Sequence, residues 1–163
     1  MTTAYIGIGS NVGDRQDFCR RAVHEIGEST VVRVQATSSL YETSPVGGPP
    51  QRSFVNAVVR VDTELTPRGL LEACKRVEAR MGREESDIRW GPRVVDLDIL
   101  LYGEEKVNEP DLEIPHALMT HRRFVLVPLL EVDPDVTDPW GTPYRDSLDE
   151  AEGEVELLQP FGA

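Results

Sequence analysis

The chain has 163 residues, 39% hydrophobic and 28% charged, which suits a single domain with a real core. Its formal net charge of -12 excludes general nucleic-acid binding, because a phosphate backbone needs a basic surface. No apolar run is long enough to span a bilayer and Met1–Tyr5 lacks a signal-peptide layout, so a cytoplasmic protein without membrane association is expected.

The first predicted strand covers 4–9 and ends in Gly7 and Gly9, read as easing a tight turn into the first helix. A dinucleotide fingerprint is excluded there, since Val12 stands where its last glycine belongs and no βαβ unit follows. A helix is predicted from about Asp14 to Ile26, with Phe18, Ala22, Val23 and Ile26 as its apolar stripe and Gly27 as C-cap. Residues 31–41 have the β-branched content of a strand. Proline and glycine make 43–51 a long loop, and 54–61 reads as another strand. A second helix starts with Thr66 as N-cap and Pro67 in the first turn, buries Leu70, Leu71, Cys74 and Val77, and stops at Gly82.

A second loop covers 83–93, and the strand 94–102 is closed by Gly103. An extended piece at 112–115 leads to a polar turn at 116–123 and a short helix at 124–131, packed on the sheet. Beyond Pro134 the tail carries eight acids against one base, Arg145, and reads as loops with weak strand or helix content. The whole is one domain, 1–163, with an acidic extension from about 134. The order β-α-β-β-α-β predicts a ferredoxin-like α+β sandwich, with helices on one face of a mainly antiparallel sheet. Cys19 and Cys74 fall in separate helices and read as reduced, buried residues, with no disulfide and no zinc site.

Asp96 and Asp98 are the sharpest chemical feature. Strand alternation places Val95, Leu97, Ile99 and Leu101 on one face and the two aspartates together on the other. Paired carboxylates repel unless a cation sits between them, and Mg2+ with phosphate oxygens is the natural candidate. A solvent-facing acidic strand is the alternative. Just before them stands Arg89-Trp90-Gly91-Pro92-Arg93: forked phosphate binders, a bend and a flat ring, which together suggest a nucleotide polyphosphate. The basic stretch Lys75, Arg76, Arg80, Arg83, Arg89 and Arg93 points the same way, although ordinary helix-face charge pairing covers its first three members. Phe54 and Asn56 share a strand face and can stack on and hydrogen-bond a flat heterocycle, or can equally serve a core and a strand end. His116 is by itself open between structure and function.

These pieces, taken together, resemble 6-hydroxymethyl-7,8-dihydropterin pyrophosphokinase. The resemblance rests on R-W-G-P-R-V-V-D-L-D-I-L-L-Y-G from Arg89 to Gly103, and on Y-I-G-I-G-S-N at the start. It continues in Y-E-T-S-P-V-G from Tyr41, F-V-N-A from Phe54, I-P-H at Ile114 to His116, and R-R-F-V-L-V-P-L from Arg122. It implies a transfer of diphosphate from Mg·ATP to the hydroxymethyl group of a dihydropterin in tetrahydrofolate biosynthesis, with AMP leaving. Asp96 and Asp98 would bind two Mg2+ ions. Arg83 and Arg93 would act on the phosphates. Glu78, Arg89, Trp90, Ile99, His116 and Arg122 would serve ATP. Phe54 and Phe124 would sandwich the pterin, Asn56 would bind its polar edge, and Thr43, Val46 and Trp90 would complete its site. The loops 44–53 and 83–93 would be lids, and dihydropteroate synthase would be a functional neighbour. Glu85, Asp111, Ala117 and Thr120 depart from residues common in the family, which bears on secondary ATP contacts. Nucleotidyl transfer and a non-catalytic regulatory module are the competing readings.

Overall fold

The computed structural model describes residues 1–44, 52–85 and 94–162, except the side chains of 83–85. The interiors of both predicted lids therefore lie outside the described residues.

The first strand, β1 (Thr2–Ser10), alternates as its sequence demands, with Ala4, Ile6 and Ile8 buried in the main core. Helix α1 (Arg15–Gly27) begins at Asp14, whose carboxylate accepts from Asp17 N at 3.2 Å, and buries Phe18, Cys19, Ala22, Val23 and Ile26. Gly27 is its last helical residue rather than its cap, which is Glu28 in a right-handed conformation. The turn into α1 uses Gly13, at φ 56, not Gly7 or Gly9.

The predicted strand 31–41 is two strands, β2 (Val32–Thr37) and β3 (Leu40–Thr43), both paired with β4 (Phe54–Thr63). The break falls at Ser38, whose hydroxyl accepts from Val58 N at 2.8 Å where a ladder carbonyl would otherwise stand. Helix α2 (Pro67–Glu85) is capped by Thr66 Oγ1, which accepts from Gly69 N at 3.0 Å, and it runs past Gly82 to Glu85. Strand β5 (Asp96–Tyr102) follows, then a ribbon of β6 (Val107–Glu109) and β7 (Leu112–Ile114).

The main sheet is antiparallel, in the order β5-β1-β4-β3, with β2 also on β4 and the last strand, β8 (Val155–Gln159), beside β3. With β2 and β3 counted as one interrupted strand along β4, the expected βαββαβ order stands. Two expectations do not. Helices cover both faces: α1 and α2 pack on one, while α3 (Arg123–Val132) packs on the other against Tyr5, Val58, Leu100 and Leu101. Leu101 is also not on the face of Leu97 and Ile99, because a register shift between Tyr5 and Ile6 inserts an extra residue in β5 and turns Leu101 towards α3. The acidic tail supplies β8 and a 3-10 turn at Tyr144–Glu150.

Cys19 and Cys74 are free and buried, and burial pushes both thiols up to about 12. Among the described residues no helix is long and apolar enough to cross a membrane.

Candidate active site

Strands β4, β1 and β5 lie side by side, and their register decides what meets across them. Gly9 pairs with Asn56 on one side and Asp96 on the other, and Gly7 pairs with Val58 and Asp98. Paired residues share a face, so Phe54, Asn56, Gly9, Gly7, Asp96 and Asp98 all stand on the face away from α1 and α2. Helix α3 covers only part of that face. The remainder is a cavity of about 410 Å3 with the two glycines in its floor. Their missing side chains keep it open: a Cβ on Gly9 would stand 2.7 Å from Asn56 Nδ2. The reading of Gly7 and Gly9 as turn residues is thus corrected. An alternation of isoleucine inward and glycine outward was the available signal.

The polar wall is built around Asn56, buried at 9% exposure. Its Oδ1 accepts from Thr43 Oγ1 at 2.5 Å, and its Nδ2 donates to Ile8 O at 3.4 Å. These bonds orient the amide and leave one N–H and one lone pair for a ligand edge. Phe54, from the sheet, and Phe124, from α3, also line the cavity. Arg122 lies over the Phe124 ring, 5.6 Å from its centre, which anchors the guanidinium at the rim. Ser44, His121 and Glu152 line the same cavity and carried no signal in the sequence. Glu152 arrives because the tail doubles back, its N–H donating to His121 O at 2.9 Å and its carbonyl accepting from Arg123 N at 2.9 Å.

A second cavity, of about 290 Å3, shares Asp98 and His116 with the first, and Leu71, Lys75, Ile99 and Leu112 also line it. His116 N donates to Leu100 O at 3.0 Å, while its Nδ1 is buried with no hydrogen-bond partner among the described residues. Glu78 is not among the residues lining either cavity. It lies under β5 at 4% exposure, where its carboxylate accepts from Leu97 N at 2.7 Å and from Lys75 Nζ at 3.2 Å. It therefore holds the backbone between the two aspartates. Asp111 and Ala117 line the second cavity, and Thr120 lines a neighbouring one with Trp140. Val46, Arg89, Trp90, Arg93 and the side chains of Arg83 and Glu85 lie outside the described residues.

Asp96 is half-buried and Asp98 exposed, both opening onto the first cavity. Two carboxylates beside open space fit Mg2+, which takes one or two carboxylates and completes its shell from phosphate and water.

Fold and cleft together define a class: a small α+β enzyme in which an aromatic slot opens onto paired strand carboxylates. Residues 5–134 match the family model of 7,8-dihydro-6-hydroxymethylpterin-pyrophosphokinase (HPPK). The chain is 47% identical over 136 residues to the 2-amino-4-hydroxy-6-hydroxymethyldihydropteridine pyrophosphokinase of Methylorubrum extorquens, covering 83% of this chain and 85% of the relative. It is 39% identical over 161 residues to the enzyme of that name from Aquifex aeolicus, covering 99% and 96%. A crystal structure of Plasmodium falciparum HPPK-DHPS with pteroate shares the fold at TM-score 0.70 and 16% identity, over 91% of this chain and 42% of that one. The chain thus spans less than half of that fused protein. The chain belongs to the HPPK family, and it is an ATP-dependent pyrophosphokinase of folate biosynthesis acting on hydroxymethyldihydropterin.

Proposed function

We propose that the cavity of about 410 Å3 holds the dihydropterin and the cavity of about 290 Å3 holds the nucleotide, so that diphosphate passes between them at Asp98. The observation carrying this reading is that both cavities are lined by Asp98 and His116. Phe54 and Phe124 stack on the pterin. Asn56, oriented by Thr43, reads its polar edge with the donor and acceptor left to it. By the resemblance, Val46 and Trp90 would also serve the pterin. Ile99, His116 and Arg122 serve the nucleotide, and Arg83, Arg89 and Arg93 neutralise its phosphates. Glu78 acts through β5, keeping Asp96 and Asp98 in place.

Asp96 and Asp98 would hold two Mg2+ ions. When bound, these supply charge neutralisation to a polyphosphate whose transfer depends on positioning and electrostatics. In the transfer the pterin hydroxyl oxygen bonds to the β-phosphorus of ATP, the bond from that phosphorus to the α-phosphate oxygen breaks, and the hydroxyl loses its proton as AMP departs. Alignment of the two substrates is the chain's main contribution. The chain acts as one cytoplasmic unit, and the fused HPPK-DHPS structures support dihydropteroate synthase as its functional neighbour.

Chromatography of the nucleotides after mixing with Mg·ATP and 6-hydroxymethyl-7,8-dihydropterin tests this directly. AMP appearing only when the pterin is present is the expected result. Pyrophosphate as product would mean nucleotidyl transfer instead, and no turnover would leave a binding module.

A further inference from the structure

The ribbon β6–β7 has three residues in each strand and stands apart from the main sheet. A two-stranded ribbon of this size is marginal by itself in water. Its base is secured, because Leu112 and Ile114 are buried in the main core and Val107 packs against it. Its tip is not: Glu109, Pro110 and Asp111 are all exposed. Those same three residues form one wall of the second cavity. Among the described residues, one side chain of α2 is hydrogen-bonded to the tip. Arg68, in the first turn of that helix, donates from Nη1 to Asp111 Oδ2 at 2.6 Å and from Nη2 to Glu109 Oε1. Arg68 beside Asp111 holds that carboxyl below the usual carboxylate range.

We infer that Arg68 is a positioning residue for the co-substrate: it clamps the β6–β7 tip and so fixes the wall of the nucleotide cavity. This rests on the nucleotide occupying the second cavity. The family resemblance placed Asp111 among the departures that bear on secondary ATP contacts. Here its charge is engaged by Arg68, so it serves the site through the ribbon rather than by touching phosphate. All three side chains are exposed enough that such pairs add little to global stability. Their effect falls on a local opening of the ribbon, and hence on ligand binding.

Three variants decide the matter, each measured by KM for ATP, KM for pterin, kcat, melting temperature and titration with Mg2+ and α,β-methylene-ATP, whose α–β bridge cannot be broken. Arg68→Gln should raise KM for ATP and the analogue's Kd about tenfold, with KM for pterin, kcat and melting temperature nearly unchanged, the signature of lost uniform binding. Glu109→Ala with Asp111→Ala removes both acceptors of the clamp while also removing two negative charges. A clamp predicts weaker nucleotide binding, as in Arg68→Gln. If Arg68 merely offset repulsion between the acids and ATP, the double variant would bind as well as the parent or better, and the inference would fall. Leu71→Trp fills the second cavity and should abolish analogue binding. Unchanged binding in that variant would overturn the placement of the nucleotide and the clamp with it. Lost binding there, with Arg68→Gln unchanged, would overturn the clamp alone.

Discussion

The two faces of one stretch of sheet have been given opposite tasks. On β1, Ile6 and Ile8 point into a core closed by α1 and α2, at 0% and 2% exposure. Gly7 and Gly9, alternating with them, point into a cavity of about 410 Å3. The same holds on β5, where Leu97 and Ile99 are buried and Asp96 and Asp98 open onto the cleft. One face is filled so that the strands hold together, and the other is emptied so that two ligands can meet. Residues one position apart should therefore fail in different ways when changed.

The largest effect should come from the cleft face. Asp98→Ala should cut turnover on the order of a thousandfold or more, since it removes charge management that the transfer requires. Its melting temperature should stay within a few degrees of the parent, as an exposed side chain is lost. Full turnover in this variant would remove the functional half of the comparison. Ile6→Ala, on the packed face, should do the reverse. It should cost about 2–5 kcal/mol of stability by leaving a cavity in the core, with the kinetics of the folded protein nearly intact. Denaturant unfolding beside steady-state kinetics separates the two.

Much of this contrast was legible in the sequence because period two is a strong signal. Asp96 with Asp98 and Phe54 with Asn56 were each placed on one face by spacing alone, and each pair lines the same cavity. What was missed depended on partners distant in the chain. Val58 offers its amide to the Ser38 hydroxyl, and that bond splits a strand that reads as continuous. The extra residue in β5 exists only against β1, so Leu101 could not be assigned its face from its own neighbours. Glu152 reaches the cleft through backbone bonds to His121 and Arg123 that no local pattern announces. Gly7 and Gly9 were visible but ambiguous, since an outward glycine matters only once the floor beneath a ligand is known.

Those glycines allow a sharper cut within the cleft face itself. Gly9→Ala places its Cβ 2.7 Å from Asn56 Nδ2, so the amide that Thr43 orients must move. KM for pterin should rise about tenfold, while KM for ATP holds, as expected for loss of uniform binding to one substrate. In Gly7→Ala the nearest neighbour is Leu100 Cδ2 at 3.5 Å, an ordinary contact, and the effect should be several-fold smaller. Equal penalties at both positions would mean that the floor, not Asn56, governs the pterin.

The smallest effect tests the packed end of the same strand. Tyr5 lies four residues before Gly9, on the side covered by α3, and its hydroxyl donates to Asp133 Oδ2 at 2.6 Å. Burial and then that hydrogen bond push the phenol from 10.0 up to about 12. The folded state therefore holds a proton that the unfolded chain releases earlier. The resulting stability is fully present below pH 10 and is lost as pH rises from 10 towards 12. Tyr5→Phe should flatten this part of the alkaline limb in denaturant melts and leave neutral-pH turnover unchanged. The limb should not vanish. Cys19 and Cys74, both pushed from 9.0 to about 12, impose a loss that begins one unit lower. Burial also raises the phenols of Tyr41 and Tyr144, which add to the loss above pH 10. A limb that starts near pH 9 and in Tyr5→Phe becomes shallower only above pH 10 would place both Tyr5 and the cysteines in the closed interior. A Tyr5→Phe limb identical to the parent's would mean that this end of β1 is as open to water as its glycine end.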